Sequence, residues 1–588
     1  ADGNETTVAF TNPTADHTIT FPNATGNVAV FTAAPAAAIA DGSNGQVLIT
    51  NGSGVLSFSD MASGADLYAA NPSSATDPTA SGSNSVAIGS DAVSSNTNSF
   101  AVGNSTDATG TEALAVGHLA QATTSYATAV GTRSVASGVG ANAIGRLTDA
   151  TGTNSLAIGT LAQAISGERA TAITNSYASG TDSFAAAIAN NTSSYGATGG
   201  NSIAMGYLSR ATQEGAVAIG YDAVSTGIGS VAIGRNCDAT DHYATAIGSG
   251  NTASQNQATA VFGENNTASA NNALAIGGGS NTASGTYSIA AGSSATASGA
   301  NAIAIGDSAV ANNTQNFAIG YSADAITGTY NGAIGTNATA NASYYAIAIG
   351  SDAGGNGSIA GGNGSFATSG GVTAGNQAQS LGKAYASGSN SFAAAIANNT
   401  SSYGATGANS IVMGYQCKST GANGVSLGQD NIVSGSNATA IGYFNTASGY
   451  YTTALGYDNT TSGAFSHAIG YQAVSAVKGK GAYASGAFSA DGDAQGGKFI
   501  LRADTTDATA TVLTTDNSAA AANNQIVAAS DTCIMFSGTL VAMQNGAQDQ
   551  GGWEIKGLLK NDGGTTTLVS SNIQTFDDGN GWVVALTA

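Results

Sequence analysis

The sequence predicts an all-β chain: a long parallel β-solenoid of roughly 14-residue coils between a short β-structured N-terminal segment and a C-terminal antiparallel, sandwich-like domain. Three observations lead there. A tag recurs at a spacing of 14, as Ala87-Ile88-Gly89, Ala101-Val102-Gly103, Ala115-Val116-Gly117, Ala129-Val130-Gly131, Ala143-Ile144-Gly145 and Ala157-Ile158-Gly159, and returns as far as Gly470. Within Ser85-Val86-Ala87-Ile88 the side chains alternate, Val86 and Ile88 to one side and Ser85 and Ala87 to the other, which is the period of a strand. All five prolines lie within the first 78 residues and both tryptophans in the last 36, so the proline-free middle can form an unbroken ladder.

Taken in order, residues 1–80 read as a β-structured shaft or attachment segment, 81–480 as the repeat, 481–497 as a Gly-rich connector and 498–588 as the distal domain. A unit this short cannot bury its own apolar face and must stack on its neighbours. One coil suffices for two short strands and two turns. The tag glycine fits a turn needing positive φ and lacks a Cβ that would strike the next coil, while pairs such as Ser137-Gly138 and Ser284-Gly285 supply the second turn. About 28 coils at roughly 4.8 Å each give a rod on the order of 130 Å long. Alanine dominates the positions that a wide single-chain helix fills with Leu, Phe or Val. A thin coil exposing an Ala-rich face is expected to pack that face on copies of itself, so a parallel homotrimer sharing one axis is expected.

The distal region alternates Trp553, Ile555, Gly557 and Leu559 with Glu554, Lys556, Leu558 and Lys560, a half-buried antiparallel strand. Trp582, Val584 and Leu586 are expected in a last strand. That strand would end two residues before Ala588, so more sequence is expected beyond it, and the start at Ala1 is likewise not taken as the gene's start.

Composition narrows the function. The 588 residues carry a net charge of −21, from 13 Lys+Arg against 34 Asp+Glu, so the chain lacks the basic footprint that nucleic-acid binding requires. An anionic membrane surface would repel it, and no apolar run of spanning length suggests membrane insertion. With 82 glycines, 8% charged and 42% hydrophobic residues, the chain suits tight turns and stacked coils rather than a solvated disordered tail.

The segment NSVAIGSDAVSSNTNSFAVG (Asn84 to Gly103) resembles the head repeat of the YadA-like trimeric autotransporter adhesins, over about two thirds of the chain. That resemblance implies a trimeric left-handed β-roll, a fold used by bacterial adhesins and phage tail fibres alike. A heptad stalk and a membrane-anchor barrel, both features of that family, are missing from the pattern. The flanks resemble phage fibre segments: Asn12 to Val30 a shaft, Gly45 to Ser59 a short connector, and Gly496 to Asp516 a β-rich distal domain. Together these resemblances imply a virion tail fibre that is extracellular, joined to other tail or baseplate proteins, and presents a surface to a host-cell glycan or protein receptor. The alternatives are a trimeric adhesin on the bacterial surface and a fibre-borne polysaccharide depolymerase.

No catalytic, cofactor or metal set is expected. His17, His118, His242 and His467 are isolated from one another, and Glu112, Glu168, Glu214 and Glu264 stand singly in different coils, whereas glycan cleavage usually needs paired carboxylates. Cys237, Cys417 and Cys533 have no metal-like spacing and read as structural free thiols, the first two in a small inward slot. Tyr207, Tyr221, Tyr321, Tyr415, Tyr443, Tyr457 and Tyr471 each directly follow a tag glycine. Equal phase stacks the consecutive ones in a ladder, which either stabilises the rod or, with Trp553 and Trp582, forms a receptor-contact surface. The distal domain is the first expectation for that contact. A block from Tyr177 to Tyr207 recurs 208 residues later, from Tyr385 to Tyr415; each copy lengthens one coil, by duplication of an insertion or as a bulge for receptor contact.

Overall fold

In a computed structural model, the described residues are 76–189, 192–350, 358–397, 401–507, 509–546, 548–579 and 581–588, with five strands ahead of them. Two antiparallel hairpins, Val8–Ala9 with Thr18–Ile19 and Gln46–Thr50 with Leu56–Asp60, are what is described of the expected shaft; the rest of that expectation lies outside the described residues. The described chain is all β, without a helix. It divides into two compact units, Ala1–Tyr126 and Ala127–Ala588.

Both units contain the same coil. Each turn of chain contributes one strand to each of two parallel ladders. In the first unit, ladder A runs through Gly64–Leu67, Ser85–Ile88, Phe100–Val102 and Leu114–Val116, so the stack starts earlier than residue 81. Ladder B runs through Thr79–Ala80, Val93–Ser94, Asp107–Ala108 and Gln121–Ala122. In the second unit ladder A extends from Thr128–Val130 to Gly481–Ser485 and ladder B from Val135–Ala136 to Val474–Ser475. The inner residues stay in register, Ala143 with Ala157 and Ala157 with Ala172, while bulges shift the strand ends at Ile247–Ser249, Ile276–Gly279 and Ala325–Thr329.

Glycine makes this stacking possible. Gly442 has φ +125°, and a Cβ built there would clash with the carbonyl of Gly456 in the next coil. Gly138, in the opposite turn, has no such φ but would clash with the Gly152 carbonyl just as severely. Close approach, not conformation, selects that second glycine.

The alternation expected from sequence is present, but its sense corrects the packing argument. In the three-residue strands of ladder A only the middle residue points inward. Ala304 and Ala318 are fully buried, while Ile305 and Ile319 remain 40% and 38% exposed. The Ala-rich face is therefore the coil's own interior, filled from all sides by Ala, Ser, Thr, Asn and Cys. The outer face of ladder A is mostly aliphatic instead, in two rows such as Ile303 and Ile305, Val217 and Ile219, Leu156 and Ile158, with Thr128, Asn142, Thr245, Thr439, Thr453 and His467 interrupting the first row. Volumes compensate in some coils, Phe184 beside Ala186, Phe392 beside Ala394 and Ile289 beside Ala291, but not in Phe100 beside Val102 or Phe317 beside Ile319. The outer row of ladder B is mostly polar, with Asp149, Gln163, Arg210, Asp238, Thr252 and Thr267.

The distal region contains one antiparallel sheet, β1 (Thr532–Met543), β2 (Gln550–Asp562) and β3 (Thr565–Asp578), in the order β1-β2-β3. One face gathers Ile534, Phe536, Leu540, Trp553, Ile555, Leu559 and Ile573. Aromatic rings cover its glycines, Phe536 over Gly557 and Trp553 over Gly551. The strand expected at Trp582–Leu586 does not form. Gly579 and Gly581 take positive φ, the Trp582 N–H donates back to Asp578 O at 2.6 Å, and no neighbouring strand pairs the segment, although its burial still alternates.

Candidate functional site

The coil has two edges where the chain passes between ladders. Edge one follows the tag glycine and edge two precedes the next strand of ladder A. The seven tyrosines singled out in the sequence all stand on edge one. Tyr207 and Tyr221 stack at 5.1 Å with planes 15° apart. Tyr443 stacks on Tyr457 at 5.1 Å and 29°, whereas Tyr471 meets Tyr457 edge-on at 4.9 Å and 74°. Tyr415 is in register with Gln429, which breaks its ladder before Tyr443, and Tyr321 is exposed without a ring neighbour among the described residues. The Tyr207–Tyr221 stack covers one face of each ring, and both rings remain about half exposed; the Tyr471 ring lies beside Gly486.

Edge two carries aromatics that the sequence reading did not single out. Tyr330 stacks on Tyr345 at 4.9 Å and 13°, and Tyr451 on Phe465 at 5.6 Å and 10°. Tyr450 stands edge-on to both Tyr451 and Phe465, at 4.4 and 5.7 Å. Their common phase, not a shared residue type, was the available signal: each belongs to the turn that opens with Ser-Gly or its equivalent in most coils.

The two tryptophans differ from expectation. Trp553 is 3% exposed and is part of the distal sheet's packed face, so it is withdrawn as a surface contact. Trp582 is half-buried over Gly579.

Behind edge one lies an internal ladder that explains why Tyr443, Tyr457 and Tyr471 align. In most coils the residue three after the tag glycine is small and closes a tight turn, as when Ser134 donates Oγ to Gly131 O at 3.0 Å. Asparagine fills that buried slot at positions 251, 266, 281, 431, 445 and 459. Asn445 Nδ2 donates to Gly456 O at 2.7 Å and to Ile441 O at 3.1 Å, and Asn445 Oδ1 accepts from the backbone and side chain of Asn459 at 3.1 and 2.9 Å. The turn opens, and the ladder A strands lengthen from three residues, as in Leu156–Ile158, to five, as in Thr439–Tyr443. The tyrosines thereby become paired strand residues. Cys237 and Cys417 occupy the slot one coil before each of two runs; Cys237 Sγ donates to Gly248 O at 3.2 Å. Burial pushes both thiols up, away from thiolate chemistry. Cys533, expected to be equally structural, is instead exposed on β1.

The titratable groups meet in small sets: Asp107 lies near Asp91, Asp238 near Asp222, and Arg169 pairs with Glu168 and Asp182 on the surface. His242 hydrogen-bonds its neighbour Asp241 at 2.8 Å on an exposed turn, and His467 lies over Gly481; His17 is outside the described residues. Asp149, Asp238 and Asp324 stand in separate coils of ladder B, each carboxyl raised by burial between coils. Among the described residues no three His, Cys, Asp or Glu side chains converge on one point. Each duplicated block adds a longer crossing in which Ile188 or Ile396 is buried; residues 190–191 and 398–400, where a receptor bulge would crest, lie outside the described residues.

A family model described as the YadA head domain repeat (2 copies) matches residues 80–106, 108–134, 136–173, 197–236, 239–261, 262–280, 283–323, 333–353, 405–445 and 447–473, together more than half of the chain. The unmatched stretches 174–196 and 354–404 contain the two lengthened crossings. No curated protein matches the chain.

Proposed function

We propose, on the premise that the chain belongs to the YadA head domain repeat family, that it is a homotrimeric fibre protein of a phage tail which presents a host-recognition surface and is not an enzyme. One observation carries the assembly: within each unit the outer face of ladder A is mostly apolar, with partly exposed Ile, Leu, Val, Met and Phe interrupted by Thr, Asn and His, and an apolar surface of that extent marks an interaction surface. Copies packed with these faces together bury Ile305, Ile319 and their equivalents and leave the polar outer row of ladder B in water. Compensating pairs such as Phe184 with Ala186 support a single filled layer between copies. The proposed trimer rests on these mostly aliphatic rows in place of alanine.

Presentation follows from repetition. Three copies per fibre and several fibres per virion would raise avidity through weak individual contacts. The tail fibre, extracellular on the virion and joined to other tail proteins, is favoured by the flanking segments. Its test uses purified protein and antibody. Sedimentation velocity is expected to give three chain masses, the antibody is expected to label virion tails, and the free protein is expected to block phage adsorption to the host. Labelling of a bacterial surface in place of virions would assign the chain to an adhesin, and loss of host polysaccharide on incubation would assign it to a depolymerase.

A further inference from the structure

We infer that the coils between residues 439 and 479 hold a saccharide groove between neighbouring copies, lined by Tyr443, Tyr457 and Tyr471 of one copy and Tyr450, Tyr451 and Phe465 of the next, whose ligand is an uncharged polysaccharide. The inference rests on the proposed assembly and deepens it. In any closed ring of parallel copies related by rotation about an axis along the stack, the surfaces that meet are heterologous, so edge one of each copy faces edge two of its neighbour. In most coils these edges carry Ser, Asn, Asp, Thr and Gly. At this level both are aromatic, with Tyr457 and Tyr471 each 42% exposed and Phe465 53% exposed.

The number of rings separates this level from the other aromatic pairs. Tyr207 with Tyr221 and Tyr330 with Tyr345 are single stacked pairs, each on one edge. Here each edge holds three rings in mixed orientations, Tyr471 at 74° to Tyr457 on edge one, Tyr451 at 10° to Phe465 and Tyr450 at 89° to Tyr451 on edge two, so partly exposed ring faces border both sides of the seam. Such faces accept the apolar C–H side of a pyranose. The coils rise about 4.8 Å each, close to one sugar unit along an extended polysaccharide, so three coils present three successive positions.

Charge selects among saccharides. Asp458 is the acid on these edges and can accept sugar hydroxyls, while Lys478, 6.0 Å from the Phe465 ring, is paired with Asp516 at 2.9 Å. A chain of net charge −21 offers a polyanion no counter-charge here.

The test uses the full-length assembled protein in affinity electrophoresis through gels containing dextran, hydroxyethyl cellulose, soluble mannan or alginate. Retardation is expected in at least one of the three neutral polymers and not in alginate. Tyr457→Leu and Phe465→Ala, one on each edge, are each expected to weaken it about tenfold, whereas Tyr207→Ala leaves it unchanged. Melting and sedimentation of each variant are read alongside. Assembled wild type that no neutral polymer retards, binding to alginate alone, or assembled variants with undiminished retardation would each overturn the groove while leaving the trimer intact. A single-chain sedimentation value for wild type would overturn the assembly, and the groove with it.

Discussion

Ladders A and B are made by the same coil and both are parallel, yet their outer faces differ in composition. Ladder A strands have an outward residue on each side of a buried residue, usually Ala, and most of these outward residues are Val, Ile, Leu, Met or Phe, interrupted by polar ones such as Thr128, Asn142, Thr245, Thr439, Thr453 and His467. Ladder B strands are two residues long except Asp324–Thr329 and Thr339–Tyr344, and their outward position is given mostly to Asp, Gln, Thr and Arg, with Val recurring among them. Their ends differ as well. The last ladder A strand, Gly481–Ser485, is covered by the antiparallel strand Gln495–Lys498, which closes an edge that could otherwise template another chain. The last ladder B strand is closed by side chains: Val474 N–H donates to Gln495 Oε1 at 2.8 Å and Lys480 Nζ donates to Val474 O at 2.9 Å. One backbone pattern thus carries a mostly aliphatic face, the one proposed to associate, and a more polar one, and side-chain size and polarity make the difference.

The sharpest way to break this asymmetry is to place charge on ladder A. Ile305→Asp combined with Ile319→Asp is expected to abolish assembly, because buried unpaired carboxylates cost several kcal/mol each. Val310→Asp, outward on ladder B, should leave the sedimentation coefficient unchanged. If both sets behave alike, the faces are equivalent and the assembly is organised otherwise. The interior of the longer ladder A strands is probed by Asn445→Ala. It removes two carbonyl partners and the acceptor for Asn459, at an expected cost of about 2–4 kcal/mol in chemical denaturation, with faster amide exchange at Asn459.

A smaller effect concerns the ladder B end. Burial lowers the Lys480 amine from 10.5 to about 8, so between those values the unfolded chain binds more protons than the folded one and stability increases with pH. The gain, about 1–2 kcal/mol after allowance for partial exposure, should be absent in Lys480→Met, as melting curves at pH 7.5 and 10 would reveal. Smallest is Tyr207→Ala, which loses a surface stack worth about 0.5–1.5 kcal/mol and should not alter assembly.

The coil was legible because its constraints are local and repeated: Gly442 must have positive φ and no Cβ, and every equivalent glycine says so again. The inward sense of alanine was not legible. A two-residue period fixes that Val86 and Ala87 oppose each other, but which one faces the interior depends on how far apart the ladders stand, and that follows from the sum of all inner side chains. The edge-one tyrosines were found by phase; the edge-two rings at 450, 451 and 465 were missed because Phe and Tyr alternate there with Ser-Gly turns of ordinary composition. Trp553 was placed on a strand correctly and on the wrong side of it functionally. In the distal sheet, alternation says that one face is buried without saying which face is presented.

The lengthened crossings at Ile188 and Ile396 occur at the same phase of the coil, and fourteen ladder B steps separate Tyr177–Ala178 from Tyr385–Ala386. Because every interior rung is chemically interchangeable with its neighbours, a block of whole rungs can be copied into the stack without disturbing the seams above and below. Reach then becomes an inheritable quantity adjustable in steps of about 4.8 Å, with the two crossings held roughly 67 Å apart as graduations on a ruler.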